Sequence, residues 1–241
     1  MESLEYESES QSGASFMTTC FNGLSALTGI GVLSIPCALS QGGWLSFASL
    51  IVIAIICFYT ALLMKRCMDS SSRIKSYPDI GEHAFGKKWS VLISVFIYLE
   101  LFLLAVAFLI MEGDSLHKLF PHTNVCVWGK TIEGKPMFII LTALVMLPTT
   151  WLRDLSILAY VSAGGILASM IIIAMIVWIG AFENVGFHEK GTLWRYNGTP
   201  TAVSLYTFCY CGHAIFPTIC NSMRDKTKFP KVLVVCFVMS L

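Results

Sequence analysis

The sequence predicts an all-α, polytopic membrane helix bundle, and three observations predict it. Hydrophobic residues make up 56% of the chain and charged residues 13%, with a mean hydropathy of +0.72, well beyond an ordinary soluble domain. The apolar residues are gathered into runs of crossing length, since about 20 residues at 1.5 Å each traverse roughly 30 Å of hydrocarbon. Lysine and arginine collect in alternate loops, as the positive-inside rule requires of a multi-spanning chain.

Residues 1–15 carry Glu2, Glu5, Glu7 and Glu9 among serines, without the basic n-region of a cleaved signal, and are expected to form a disordered, acidic cytosolic tail. Apolar runs follow at Phe16 to Leu39, Trp44 to Met64, Val91 to Met111, Met137 to Leu152, Leu155 to Phe182 and Thr201 to Met223. A seventh opens at Val232 and reaches Leu241, about half the length a crossing needs, so residues 16–241 are expected to form a transmembrane domain truncated in its seventh span. Arg153 and Asp154 mark a tight turn between the fourth and fifth runs.

The loop after the second run holds Lys65, Arg66, Arg73, Lys75, Lys87 and Lys88 against Asp69, Asp79 and Glu82. The loop after the sixth holds Arg224, Lys226, Lys228 and Lys231 against Asp225. Both are expected in the cytosol, together with the N-terminus. The loops after the third and fifth runs are balanced in charge and belong outside or in a lumen, where the Asn197-Gly198-Thr199 sequon also falls. Between Ser76 and Lys88, mixed polar and apolar residues predict a short interfacial helix. Trp44, Trp89, Trp151 and Trp178 lie near run ends, as an aromatic belt does.

A net charge of +1, without a basic stripe, gives no footprint for nucleic acid. No phosphate-binding loop, nucleophile elbow or zinc-spaced set of His and Cys appears, so no enzyme chemistry and no metal or organic cofactor is expected. Of the nine cysteines, most sit in apolar runs and read as small buried hydrophobes, with Cys126 in a polar loop.

The residues that carry chemistry cluster at two matching glycine-to-proline intervals. The first run contains Thr28-Gly29-Ile30-Gly31-Val32-Leu33-Ser34-Ile35-Pro36, and the sixth contains Cys211-Gly212-His213-Ala214-Ile215-Phe216-Pro217. Glycine lowers the cost of unwinding and proline withdraws a donor, so breaks are expected in both spans. Lipid cannot satisfy the freed backbone groups, which belong against protein or a wet cavity, where they suit a carboxylate and an ammonium. Two such spans five apart run in opposite directions, as in an inverted repeat, although ordinary kinks remain the alternative. Thr28, Gly29, Ile30, Gly31, Ser34, Cys211, Gly212 and His213 are the candidate substrate-binding residues.

Glu100 is the only acidic or basic residue left within a run, and His213 the only histidine. An intramembrane carboxyl is costly unless paired, protonated or wetted. Glu100 therefore reads either as a proton-binding group or as a protonated carboxyl bonding a neighbouring helix. His213 reads as a titrating group or as a partner for a freed carbonyl.

These stretches, with Phe21-Asn22, Tyr77-Pro78-Asp79-Ile80-Gly81, Glu112-Gly113-Asp114, Leu147-Pro148 and Trp151-Leu152-Arg153-Asp154-Leu155-Ser156, resemble the amino acid/auxin permease family, and within it the plant vacuolar-type amino acid transporters. The likeness covers the chain from Ser15 onward. It implies a five-plus-five inverted-repeat fold with broken first and sixth spans and an added eleventh. It further implies amino acid transport coupled usually to protons, with sodium as the alternative coupling ion, and a site between the first, third, sixth and eighth spans. The expected partners are an amino acid and the bilayer of a vacuolar or plasma membrane. A second reading makes the chain a non-transporting partner of a full-length homologue, or the product of an incomplete gene, because a complete cavity would need the second repeat.

Overall fold

The structure is a computed structural model that describes residues 13–121, 125–127, 130–132, 134–151, 155–182, 191–210 and 212–241. Helix α1, Phe16–Gly42, begins where the Ser15 hydroxyl accepts the Thr18 N–H at 3.2 Å, and ends where Gly43, at φ 78°, donates to the Leu39 carbonyl. A left-handed residue without a Cβ is the usual way to close a helix. Helix α2 is Ser46–Ser70, α3 is Tyr77–Phe85 and α4 is Lys87–Leu119. A small antiparallel hairpin follows, β1 Val125–Val127 on β2 Lys130–Ile132, in the loop after the third run. It is a local addition to an otherwise all-α bundle. Helix α5, Gly134–Met146, runs on into a 3-10 turn at Leu147–Trp151, and α6 spans Leu155–Phe182. Helix α7 is Thr199–Cys209, α8 is Phe216–Ser222 and α9 is Phe229–Ser240. Helices α3, α7, α8 and α9 each carry a proline in the first turn, where a missing N–H costs nothing.

Four stretches among the described residues are long and apolar enough to cross a membrane: α2, α4, Gly134–Trp151 and Tyr160–Phe182 of α6. Helix α1 has comparable length at 27 residues and is the hub on which α6, α7 and α9 pack. The core lies among α1, α2, α7, α8 and α9 and buries Leu27, Ala38, Leu50, Ala202, Tyr206, Phe216 and Phe237. Helices α4 and α6 instead expose Phe96, Phe102, Ile171 and Trp178, an outward apolar face that suits hydrocarbon.

Two expectations are corrected. The first span is not interrupted: α1 is helical through Gly29, Gly31 and Pro36. Proline removes one hydrogen bond and glycine only permits unwinding, so a helix supported on several sides absorbs both. The second correction concerns the end of the acidic tail. Ala14 is buried and pairs with the loop after α8, its N–H donating to Ser222 O at 2.7 Å and its carbonyl accepting from Arg224 N at 3.1 Å. Residues 13–15 are therefore ordered, because backbone pairing satisfies them. Residues 1–12, and the turn at Arg153 and Asp154, lie outside the described residues.

The interfacial helix appears as expected, fixed by a capping box. The Ser76 hydroxyl accepts from Asp79 N, and the Asp79 carboxylate accepts from Ser76 N at 2.8 Å and Lys75 N at 2.9 Å. Partial burial works against ionisation of Asp79, but these hydrogen bonds and the Lys75 charge outweigh it and hold the carboxyl below its ordinary value. A lowered folded value means that the stabilisation is complete above the ordinary carboxylate range and is lost as pH falls through the folded value. Asp79→Ala is expected to cost about 1 kcal/mol of local stability at neutral pH. Faster amide exchange confined to residues 77–85, with the difference from the parent protein shrinking in acid, is the check.

Candidate functional site

The sixth span is interrupted. Helix α7 stops at Cys209 and helical structure resumes at Phe216, with Gly212 N donating to Tyr210 O at 2.9 Å and Ile215 N to Gly212 O at 3.0 Å. A continuous helix would have used these backbone groups along its own axis; here they turn back locally. Proline at position 217 suits the start of α8, and Gly212 leaves room for the turn.

The uninterrupted α1 passes directly against this turn. A Cβ built on Gly31 would lie 2.7 Å from the Cys209 Cα and 2.9 Å from its Cβ and Sγ, so only glycine admits the approach. Ser34 donates its hydroxyl to Gly31 O at 2.7 Å and sits 3.9 Å from the Cys209 sulfur. One turn earlier, Leu27 lies against Gly212, where a Cβ would be 3.3 Å from the leucine Cδ2. The two glycine-proline segments are thus adjacent, across 175 residues of sequence in the Ser34–Cys209 contact.

Helix α2 supplies the next wall. His213 Nε2 is 2.6 Å from Thr60 Oγ1, and the ring lies 5.7 Å from that of Phe216. Thr60 is also placed to donate to Ile56 O at 2.9 Å or Cys57 O at 3.0 Å. A hydroxyl has one proton; while the backbone takes it, the bond to His213 requires Nε2–H and leaves Nδ1 as an acceptor. Glu100 is exposed on α4. Beyond them, the Tyr210 ring stacks on Phe237 at 5.5 Å, and Ser162 of α6 donates to the Asn22 side chain of α1 at 3.2 Å.

Of the candidate residues, Gly31, Ser34, Gly212 and His213 meet at the interruption. Thr28, Gly29 and Ile30 lie on the same stretch of α1, but the positions of their side chains, like the whole of Cys211, fall outside the described residues. Sequence reasoning missed Thr60 and Cys209. A threonine amid the apolar residues of the second run was the available signal for Thr60, whereas Cys209 looked like any other buried thiol. Among the described residues no group of three or more His, Cys, Asp or Glu side chains is placed to hold a metal ion.

Comparison with known proteins decides the family. A family model described as Transmembrane amino acid transporter protein matches residues 12–241. The chain belongs to that family. It is 47% identical to Amino acid transporter AVT1I of Arabidopsis thaliana over 98% of its own length and 58% of the relative's. It is 49% identical to Amino acid transporter AVT1J of the same plant, over 98% of its length and 56% of the relative's. A distant relative, the Vesicular GABA transporter of Caenorhabditis elegans, is 23% identical over 93% of the chain and 45% of the relative. The chain spans somewhat more than half the length of the first two. No solved structure matches it. As a member of this family with several helices long and apolar enough to cross a bilayer, the protein is a multi-pass membrane protein.

Proposed function

We propose that the chain is a secondary active amino acid transporter, coupled to protons and working by alternating access. The observation that carries the reading is the close approach of Gly31 and Ser34 to the interrupted sixth span at Cys209. An amino acid bears an ammonium and a carboxylate on one carbon, and non-helical backbone lining a cavity offers acceptors and donors for both. The candidate residues Thr28, Gly29, Ile30, Gly31, Ser34, Cys211, Gly212 and His213 would line that site. Glu100 and His213 are the groups proposed to exchange the coupling proton, since an intramembrane acid and an imidazole can each take up and release one. The backbone ties between Ala14 and the loop after α8, and the hydrogen bond that the Asn221 side-chain amide donates to Lys75 O, put the N-terminal segment beside both lysine-rich loops, which supports a cytosolic N-terminus. The resemblance favours a vacuolar membrane, with the plasma membrane as the other candidate.

The test is uptake of radiolabelled L-amino acids into proteoliposomes containing the purified chain, with and without an imposed pH gradient. Saturable uptake that rises with the gradient and collapses when a protonophore is added is expected. Saturable uptake indifferent to the gradient would remove the proton from the proposal, and an absence of both uptake and binding would remove the carrier reading of this chain.

A further inference from the structure

The fifth loop is laid across the far end of α1, opposite the lysine-rich loops. Trp44 N donates to Thr192 O at 3.2 Å, Leu45 N to Leu193 O at 2.9 Å and Arg195 N to Gly42 O at 3.1 Å. The closure is tight at Gly191, where a Cβ would lie 2.6 Å from the Trp44 Nε1, and at Gly198, where it would lie 2.0 Å from Gln41 O. Beside this clasp is a cavity of about 390 Å³, lined by Pro36, Leu39, Ser40, Trp44, Thr192 and Arg195. Its size falls within the range of small-molecule sites.

We infer that this cavity is a second amino acid site, a vestibule that holds the carboxylate of a free amino acid on Arg195 before or after the substrate occupies the interruption. Among the described residues Arg195 is the only charged side chain in the lining, and no described carboxylate makes a salt bridge with it. A guanidinium presents paired donors that match a carboxylate. Ser40 gives its hydroxyl proton to Cys37 O at 2.8 Å, so its oxygen is left to accept from an ammonium. The remaining surface is mostly apolar, from Pro36, Leu39 and the Trp44 indole, which selects amino acids with apolar or aromatic side chains. Pro36 is two residues beyond Ser34 on the same helix, so the cavity opens within one turn of the proposed transport site. The inference rests on the carrier reading above. The simpler role for Arg195, a cation at the C-terminal end of α1, would require its charge for stability but not for binding.

The experiment is equilibrium binding of tritiated L-phenylalanine to the full chain in lipid nanodiscs, with phenethylamine, which lacks the carboxylate, as competitor. Two sites per chain are expected, neither yielding readily to the amine. Arg195→Gln, which keeps the backbone bond to Gly42, should reduce the stoichiometry to one without lowering the melting temperature, while Arg195→Lys should keep two with the second weakened. Gly31→Leu should remove the other site. Unchanged binding in Arg195→Gln overturns the vestibule and leaves the carrier reading intact. Binding that survives Gly31→Leu but not Arg195→Gln upholds the vestibule and overturns the site at the interruption. Absence of binding to the parent chain overturns both. A loss in Arg195→Gln accompanied by a fall in melting temperature that Arg195→Lys reverses, without restoring binding, assigns Arg195 a structural role and overturns the vestibule.

Discussion

Gly31→Leu is expected to abolish amino acid binding at the interruption of the sixth span while leaving membrane insertion intact. The Cβ alone would stand 2.7 Å from the Cys209 Cα, and backbone at that distance cannot be relieved by a rotamer change. Helix α1 and the end of α7 must therefore separate, carrying Ser34 away from Cys209 and Leu27 away from Gly212, which are the contacts that bring the two segments together. Overpacking of this kind costs about 1–3 kcal/mol and moves backbone. Insertion depends on the apolar character of the whole helix, which leucine only increases. A useful control is Gly164→Leu in α6, where a Cβ meets nothing within 4 Å, and binding should match that of the parent chain. Glycosylation or protease protection reports insertion, and ligand binding reports the site. Normal binding by an inserted Gly31→Leu chain would show that the approach of α1 to Cys209 does not build the site.

How much of this was legible in the sequence depends on the range of the interaction. Run length alone gave α2, α4 and α6, because crossing a bilayer is a demand each helix meets by itself. The helix at Tyr77–Phe85 was legible for a similar reason, since its determinants, Ser76 and Asp79, sit three residues apart. The interruption after Cys209 followed from Gly212 and Pro217, but the same pattern in α1 did not interrupt it. Glycine at position 31 serves close packing there, not unwinding, and nothing local to the sequence separates those two uses. The small residues of α6 show the same ambiguity: Ser162 reaches Asn22, whereas Gly164 and Gly165 face open space. The bond between Thr60 and His213 joins residues 153 apart, and the pairing of Ala14 with Ser222 and Arg224 uses backbone atoms alone. Neither leaves a mark in the side-chain pattern.

Glu100→Gln is expected to uncouple transport from the proton gradient without removing the substrate site. The amide keeps the length and much of the hydrogen-bonding reach of the carboxyl but cannot release or take up a proton at any accessible pH. Glu100 lies on α4, which does not pack on the Gly31–Cys209 approach, so its exchange leaves the packing of the proposed site in place. His213 sits in the interrupted span with its Nε2 on Thr60. A proton taken up at Glu100 on one side of the membrane and released on the other is the coupling a symporter needs. One pH unit of gradient is worth about 1.4 kcal/mol per proton, enough for about tenfold accumulation at one proton per substrate. Proteoliposomes containing Glu100→Gln should lose that accumulation yet retain exchange of labelled for unlabelled amino acid. His213→Gln should lose it as well if the two groups form one relay, and its exchange should weaken too, because His213 lies in the site. Gradient-driven accumulation equal to the parent's in Glu100→Gln would confine the acid to the other role the sequence allows, that of a carboxyl bonding a neighbouring helix, and would shift the search for the coupling group to His213 alone.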